Sequence, residues 1–263
     1  MNLQEEGVSE AIGYIIIFGL VMTGIGLITL YGYPVLMQQE SSANIRNMEQ
    51  TMIVLQNDIK SLTYKLVPYK ETALRVSGGA LTLVNRSSMD QTFTITYGGA
   101  PVVAGFLPGE LRFLSRKDNV VISLENGAVI ERQIGVTGSF MLADPRWYVD
   151  TYGGTSTMMI NLVELGSLMD QPFLSQTGVG TVRLRHFQTL YWNPSSVPGG
   201  APVVITYSPS TLESSAYDYS QAWRNFLTDP YGLAMTEVAP NTYQRDGISN
   251  VVVKKYDLIV EEL

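Results

Sequence analysis

Residues Ile12–Tyr31 read IGYIIIFGLVMTGIGLITLY, and the wider stretch from Ala11 to Gln39 contains no Asp, Glu, Lys, Arg or His. Twenty residues of α-helix rise about 30 Å, the thickness of a bilayer's hydrocarbon core. A core helix of a water-soluble domain normally keeps polar residues on its outer face, and this stretch has no charged residue to keep there. It therefore predicts a membrane-spanning helix or the core of a filament, and the rest of the 263-residue chain is read outward from it.

On its N-terminal side stands MNLQEEGVSEA. A secretory signal would carry Lys or Arg ahead of the apolar run and an A-x-A-like cleavage site behind it. Here Glu5, Glu6 and Glu10 precede the run and no such site follows closely, so the apolar helix is expected to stay on the protein. The first basic residue is Arg46, which leaves the positive-inside rule almost nothing to count. On the C-terminal side, Gly32-Tyr33-Pro34 closes the run. Pro34 lacks a backbone donor and disfavours a helical Tyr33, so the helix should kink or loosen there, with Tyr31 and Tyr33 suited to a membrane–water interface.

Helix then resumes over 41–66. Ile45, Met48, Met52, Leu55, Ile59, Leu62 and Leu66 follow a 3-4 spacing with polar residues between them. Ile53 and Val54 widen the stripe beyond a two-helix seam, which favours packing on the chain's own sheet over a coiled coil between chains. Pro68 ends the helix. From Thr72 the pattern changes to period two. Short strands are expected at 73–77 and 80–84 flanking Gly78-Gly79, at 91–97 and 100–106 flanking Gly98-Gly99, and at 120–124 and 128–134 across Asn126-Gly127, a strong hairpin signal. Further strands fall at 138–142, 158–162, 179–187, 203–207 and 250–262, the last expected inside a sheet. One later helix is expected over 214–227, and Pro194–Pro202 reads as irregular. The fold class is α+β: a long N-terminal helix, transmembrane then amphipathic, followed by an antiparallel β-rich head, β-sandwich-like, over 72–263. A loop around 144–154 marks a candidate split into two subdomains.

The chemistry is sparse. With no cysteine, disulfides, thiolate catalysis and Cys-based zinc sites are excluded. The net charge of −7 argues against nucleic acid as a partner. One histidine, His186, cannot build a His-based zinc site, and no G-x-S-x-G, P-loop or calcium-loop motif occurs. The expectation is a non-enzyme with no catalytic residues, no metal and no cofactor. Asn85-Arg86-Ser87 is a sequon at a strand end, a glycosylation candidate if the head stands outside the cell. Gly13, Gly19, Gly24 and Gly26 lie in the apolar helix. Glycine is common in membrane helices generally, yet Gly19 and Thr23 also form a small-xxx-small pair suited to close helix approach.

Gly7-Val8-Ser9-Glu10-Ala11-Ile12-Gly13, placed directly before an apolar helix, resembles archaeal type IV pilins and pilin-like surface proteins. The resemblance covers residues 7 to about 66. It implies a class III leader over 1–7, cut after Gly7 by a prepilin peptidase to leave Val8 as the mature N-terminus. The helix over 8–67 would then stay on the subunit. Family signals usually carry Lys or Arg before the cut, where this chain has Glu5 and Glu6. The resemblance also implies an inside N-terminus and an outside head, on the cell membrane as a single-pass protein or in an extracellular filament. Partners would be membrane lipid and other pilin-like subunits, or copies of this chain, with Glu10 pairing with a neighbour's N-terminus. The expected function is a structural, membrane-anchored or filament-forming subunit. The alternative is a permanently anchored binding module recognising glycan, surface layer or protein.

Overall fold

The computed structural model describes residues 3–65, 67–168, 170–192, 200–211 and 216–263, with side chains from Glu10 onward. Leu66, Ser214 and residues 194–199 of the irregular Pro194–Pro202 stretch lie outside the described residues, as do the side chains of Gly7 and Val8. The chain divides into two compact units, Met1–Arg46 and Asn47–Leu263.

The first unit is helical. It holds α1 (Leu3–Leu27), a π-helical turn over Ile28–Gly32, and the beginning of α2 (Tyr33–Tyr64). Tyr33 donates its N–H to the Ile28 carbonyl, five residues back instead of four. The widened turn has a cause one residue on. Pro34 offers no N–H, and its ring crowds the carbonyl four residues earlier, so the preceding turn opens to make room. The loosening expected at Pro34 is present, but it sits in the turn before. Tyr33 itself remains helical at φ −60° and ψ −47°, because the π turn has already relieved the clash.

Among the described residues of the second unit, fourteen strands form two sheets. In chain order they are β1 (Tyr69–Val84), β2 (Thr92–Tyr97), β3 (Ala100–Phe106), β4 (Glu110–Ser115), β5 (Val120–Glu125), β6 (Ala128–Gln133), β7 (Ser139–Ala143) and β8 (Tyr148–Tyr152). β9 (Thr155–Ser167), β10 (Phe173–Trp192) and β11 (Ala201–Ser208) follow, then α3 (Ser220–Thr228), β12 (Thr236–Ala239), β13 (Thr242–Ile248) and β14 (Asn250–Glu262). A nine-stranded sheet runs β7-β6-β5-β4-β1-β10-β14-β9-β8, and a five-stranded sheet runs β12-β13-β11-β2-β3.

Side chains alternate across a strand, so each strand of the large sheet serves two layers. Val121 and Ile130, with Met158, Ile160, Val251 and Val253, face the small sheet's Phe93, Ile95, Val203 and Ile205 in one buried core. α3 closes that core with Trp223, whose ring lies 4.7 Å from Phe93 and 5.4 Å from Trp147. The opposite face carries Leu81, Phe113 and Ile122 as one cross-strand row and Leu83, Leu111 and Leu124 as the next, all buried. α2 lies on this second face. Met48, Met52, Leu55, Ile59 and Leu62 are buried there, so the seam packs on the chain's own sheet. Gln56 fastens it, donating from Nε2 to the carbonyls of Gly127 at 2.7 Å and Asp144 at 2.9 Å. Tyr64 meets Tyr256 of β14 edge-on at 5.6 Å.

Asn126 and Gly127 both have positive φ and join β5 to β6, the two-residue hairpin the dipeptide favours. β14 lies inside the large sheet as expected, between β10 and β9, but it runs parallel to β9. Two expectations fail. Gly78-Gly79 is not a turn between two strands: β1 passes straight through it with an irregularity between Val76 and Leu81. A Cβ on Gly79 would stand 2.4 Å from the Leu114 carbonyl and against the Phe113 ring, so the glycine serves close strand packing. Nor does 144–154 divide the head. β8 forms within it, and strands from both sides of it enter one sheet. The helix expected over 214–227 begins at Ser220, and β4, β12 and β13 were not anticipated.

Candidate functional site

Two surfaces of the described residues stand apart from ordinary solvated exterior, one on each unit. On the first unit, the helix from Glu10 has an 18-residue window of mean hydropathy 2.3 with none of it buried. Ile12 is 53% exposed and Leu20 is 73% exposed, and the large apolar side chains between Ile12 and Leu36 are open on every side. Cβ atoms built on Gly13, Gly19, Gly24 or Gly26 would meet nothing within 4 Å. The threonine hydroxyls in this stretch are satisfied within the helix. Thr23 donates its hydroxyl to the Gly19 carbonyl at 2.8 Å, and Thr29 donates to Ile25 at 2.9 Å. Hydroxyls bonded back to their own helix are what an apolar environment tolerates. Gly19 and Thr23 are thus joined on one open face, and Glu10 is exposed on α1. Gly7 and Val8 fall within α1 as backbone.

On the second unit, the sheet face under α2 continues past the end of that helix, and there it holds a cleft of about 470 Å³. The geometry is set by register. Met159 pairs with Tyr148 of β8, and Lys254 lies opposite both Asn161 of β9 and Tyr191 of β10. One step along, Tyr256 lies opposite Thr189. Paired residues share a face, so Tyr148, Tyr191 and Tyr256 project on the same side as Lys254. Tyr64, the last residue of α2, supplies the wall. Arg146 comes from the segment before β8 and holds its guanidinium 4.5 Å over the Tyr64 ring, while the Lys254 ammonium stands 5.9 Å from the Tyr191 ring. The floor is anchored behind. Trp147 donates its indole N–H to the Asn161 carbonyl at 2.7 Å, and the Asn161 side-chain amide donates to the Arg146 carbonyl. Burial, and then the neighbouring Tyr256, push the Tyr64 hydroxyl well up, and burial also raises that of Tyr256. Both rings stay neutral in neutral water.

A third cluster is sealed in the core between the sheets. Glu125 accepts from the Trp223 indole at 2.7 Å and from the Gln91 amide. Glu110 accepts from Arg112 at 2.6 and 2.9 Å and from the Tyr219 hydroxyl at 2.7 Å. Burial first, and Glu110 second, push the Glu125 carboxyl up to about 8 against the pull of its two donors. Both carboxylates are fully buried, and these partners tie the large sheet to α3.

His186 shares a hydrogen bond with Thr189 at 2.9 Å. Among the described residues no group of three or more His, Asp or Glu side chains is placed to hold a metal ion. Asn85 does not stand on an exposed loop as its sequon suggested. It is 1% exposed, and its amide nitrogen donates to Asp170 at 2.6 Å and to Ser167, so the atom a glycan would occupy is already engaged in packing. The cleft escaped the sequence reading because its walls come from residues 63–64, 146–148, 159–161, 189–191 and 254–256, none of which forms a local motif. The only hint was the abundance of tyrosine.

A family model described as a family of unknown function (DUF7289) matches residues 6–254, running through the apolar helix and the head alike. No curated protein and no solved structure matches the chain.

Proposed function

From the premise that this chain belongs to the DUF7289 family, we propose that it is a structural, non-enzymatic subunit of the archaeal type IV pilin kind, held in the membrane or in a surface filament by its N-terminal helix. The observation that carries the reading is the apolar helix of the first unit, exposed on all sides over Ile12–Leu36 with its hydroxyls bonded back to its own backbone. Such a surface is at home only among lipid tails or packed helices. The glycines that leave open space at Gly13, Gly19, Gly24 and Gly26 suit close approach of neighbouring subunits. In this reading the head stands outside the cell and prepilin peptidase removes the leader before Val8.

The second reading, a permanently anchored binding module, is favoured by the tyrosine-lined cleft on the head. The two part at the N-terminus. Cells expressing the full chain beside a prepilin peptidase are sheared, and the released and membrane-bound protein is weighed by intact mass spectrometry. A mature chain beginning at Val8 in sheared filaments is the expected result. An intact Met1 on membrane-retained protein alone would reject the filament subunit and leave the anchored module.

A further inference from the structure

Beyond anchoring, we infer that the cleft between Tyr64 and Tyr191 binds a saccharide that carries carboxylate groups, a uronic-acid-containing glycan. The inference deepens the reading of the head as an exposed surface module, and it does not depend on whether a filament forms.

Of the cleft's ten lining residues four are tyrosines and only Met159 is aliphatic. A site for an apolar peptide side chain or a lipid tail would be built mostly from aliphatic surface, and this one offers amphipathic ring faces instead. Tyrosine presents a flat apolar face with a polar rim, which suits the C–H face of a sugar ring together with its hydroxyls. Tyr191 is 57% exposed and Tyr148 is 41% exposed, so two ring faces remain open, while Tyr64 and Tyr256 brace each other edge-on. The cavity of about 470 Å³ lies within the usual size of small-ligand sites, about 300–1,000 Å³.

The sign of the ligand follows from the cations. Arg146 and Lys254 both line the cleft, and among the described residues neither forms an ion pair within 4 Å. Three basic side chains on the strands beside the cleft are paired, whereas Arg75 of β1 and Arg132 of β6, further along the sheet, form no ion pair among the described residues. Lys255, next to Lys254 on β14, binds Glu164 and Asp257, and Arg183 and Arg185 of β10 bind Glu71, Glu261 and Glu262. In a chain of net charge −7, two cations held over tyrosine rings without an acidic partner mark a place for an outside anion. A guanidinium matches a carboxylate with two parallel hydrogen bonds, and an ammonium adds a second point of charge. A strand-like acidic peptide fits less well. The free edge beside the cleft is that of β8, the last strand of the sheet, and a strand added there would lie outside Tyr148, with β8 and β9 between it and Lys254 of β14.

The test uses the full chain in detergent micelles and calorimetric titration with tetragalacturonate, its methyl ester, and poly-glutamate of matched charge. Tetragalacturonate is expected to bind. The methyl ester keeps the rings but loses the charge, and should bind roughly tenfold more weakly or worse. Tyr191→Ala removes an exposed ring and Lys254→Gln removes one cation. Each should weaken tetragalacturonate binding about tenfold, with an unchanged melting temperature. No binding of tetragalacturonate overturns the inference. So does poly-glutamate binding as tightly, which would make the site one for acidic protein, or affinity indifferent to Tyr191→Ala. None of these outcomes depends on processing at Val8, so failure here leaves the anchoring role standing.

Discussion

Two halves of one helical path use the same aliphatic residues to opposite ends. Between Ile12 and Leu36 isoleucine and leucine point in every direction and stay exposed. Between Met48 and Leu62, Met48, Met52, Leu55, Ile59 and Leu62 form one stripe and are buried, while Val54 beside it is exposed. The difference lies in what fills the positions between them. In the second half Asn47, Glu49, Gln50, Asn57, Asp58 and Lys60 supply a polar face, which leaves a stripe that a single sheet can cover. In the first half no charged residue interrupts the pattern and only Thr23 and Thr29 break the run of apolar and aromatic side chains, so no single sheet could cover it and the surface suits an apolar surrounding. An all-round apolar surface and a striped one are therefore two different instructions, one to leave water altogether and the other to fold onto a partner.

The sharpest way to break this comparison is to make the same truncation on both sides of it. Leu55→Ala in the buried stripe should cost the head about 2–5 kcal/mol, because it removes packed methyl groups and leaves a cavity under the sheet. Leu20→Ala in the apolar half should leave the head's unfolding midpoint where it was. Denaturant melts of the two variants in detergent, followed by tryptophan fluorescence, separate the cases, since Trp147 and Trp223 report on the core. Equal losses from both variants would show that the apolar helix is packed against its own chain and would remove the case for a membrane or filament.

The pattern that made the stripe legible is the same one that hid much of the head. Period and spacing located the apolar helix, the buried seam, the Asn126-Gly127 hairpin and the closing strand, because each is written in consecutive residues. β4 was missed, and Glu110 and Arg112 on it are charged side chains that a strand reading assigns to water. Glu110 is buried and Arg112 largely covered because the small sheet and α3 lie over that face, and coverage by a distant segment leaves no mark on the local sequence. Gly78-Gly79 misled for a related reason. A pair of glycines announces a turn by its backbone freedom, but here the missing Cβ is used to bring β1 against Phe113. The tyrosine cleft is assembled by strand order alone, across four strands from three parts of the chain.

A smaller effect separates the same two regions by charge. The stretch 11–39 holds no acidic or basic side chain, so its contribution to stability should be silent to pH. The head should not be silent. Glu125 has its carboxyl raised from 4.5 to about 8, first by burial and then by Glu110, and Glu131 is raised to about 7, first by burial and then by Glu49 of α2. A raised carboxyl means that the folded state holds more protons than the unfolded one between the two values. Stability is then fully present below about 4.5 and falls as pH climbs through 7 and 8. For one group such as Glu125 the slope cannot exceed ~1.4 kcal/mol per pH unit. Denaturation midpoints between pH 5 and 9 at fixed ionic strength should fall, with Glu131→Gln flattening the curve up to about 7 and Glu125→Gln flattening it up to about 8. A head equally stable at pH 5.5 and 8.5 would show that both carboxyls are better solvated than their burial indicates.

The smallest effect concerns Glu10, the one charge left at the border of the apolar half. In the unprocessed chain α1 begins at Leu3, which puts Glu10 two turns inside the helix. The helix dipole acts within about the first turn, so Glu10→Gln there should change membrane recovery by very little. Cleavage before Val8 changes its position. Glu10 then lies in the first turn of a helix whose new α-amino group is two residues away. The dipole favours its carboxylate by about 0.3–1 kcal/mol. In a bilayer that carboxylate reaches the headgroups, but in a packed helix bundle an unpaired charge is costly, and a neighbouring subunit's α-amino group is the available partner. The substitution should therefore leave insertion intact and reduce sheared filaments, and only where the leader is removed. Wild-type and Glu10→Gln chains expressed with and without a prepilin peptidase give the four measurements needed. Filaments at wild-type yield from Glu10→Gln would reject the pairing. A loss of membrane recovery without peptidase would show that Glu10 acts within the helix itself, which would draw the border of the apolar half upstream of Ala11.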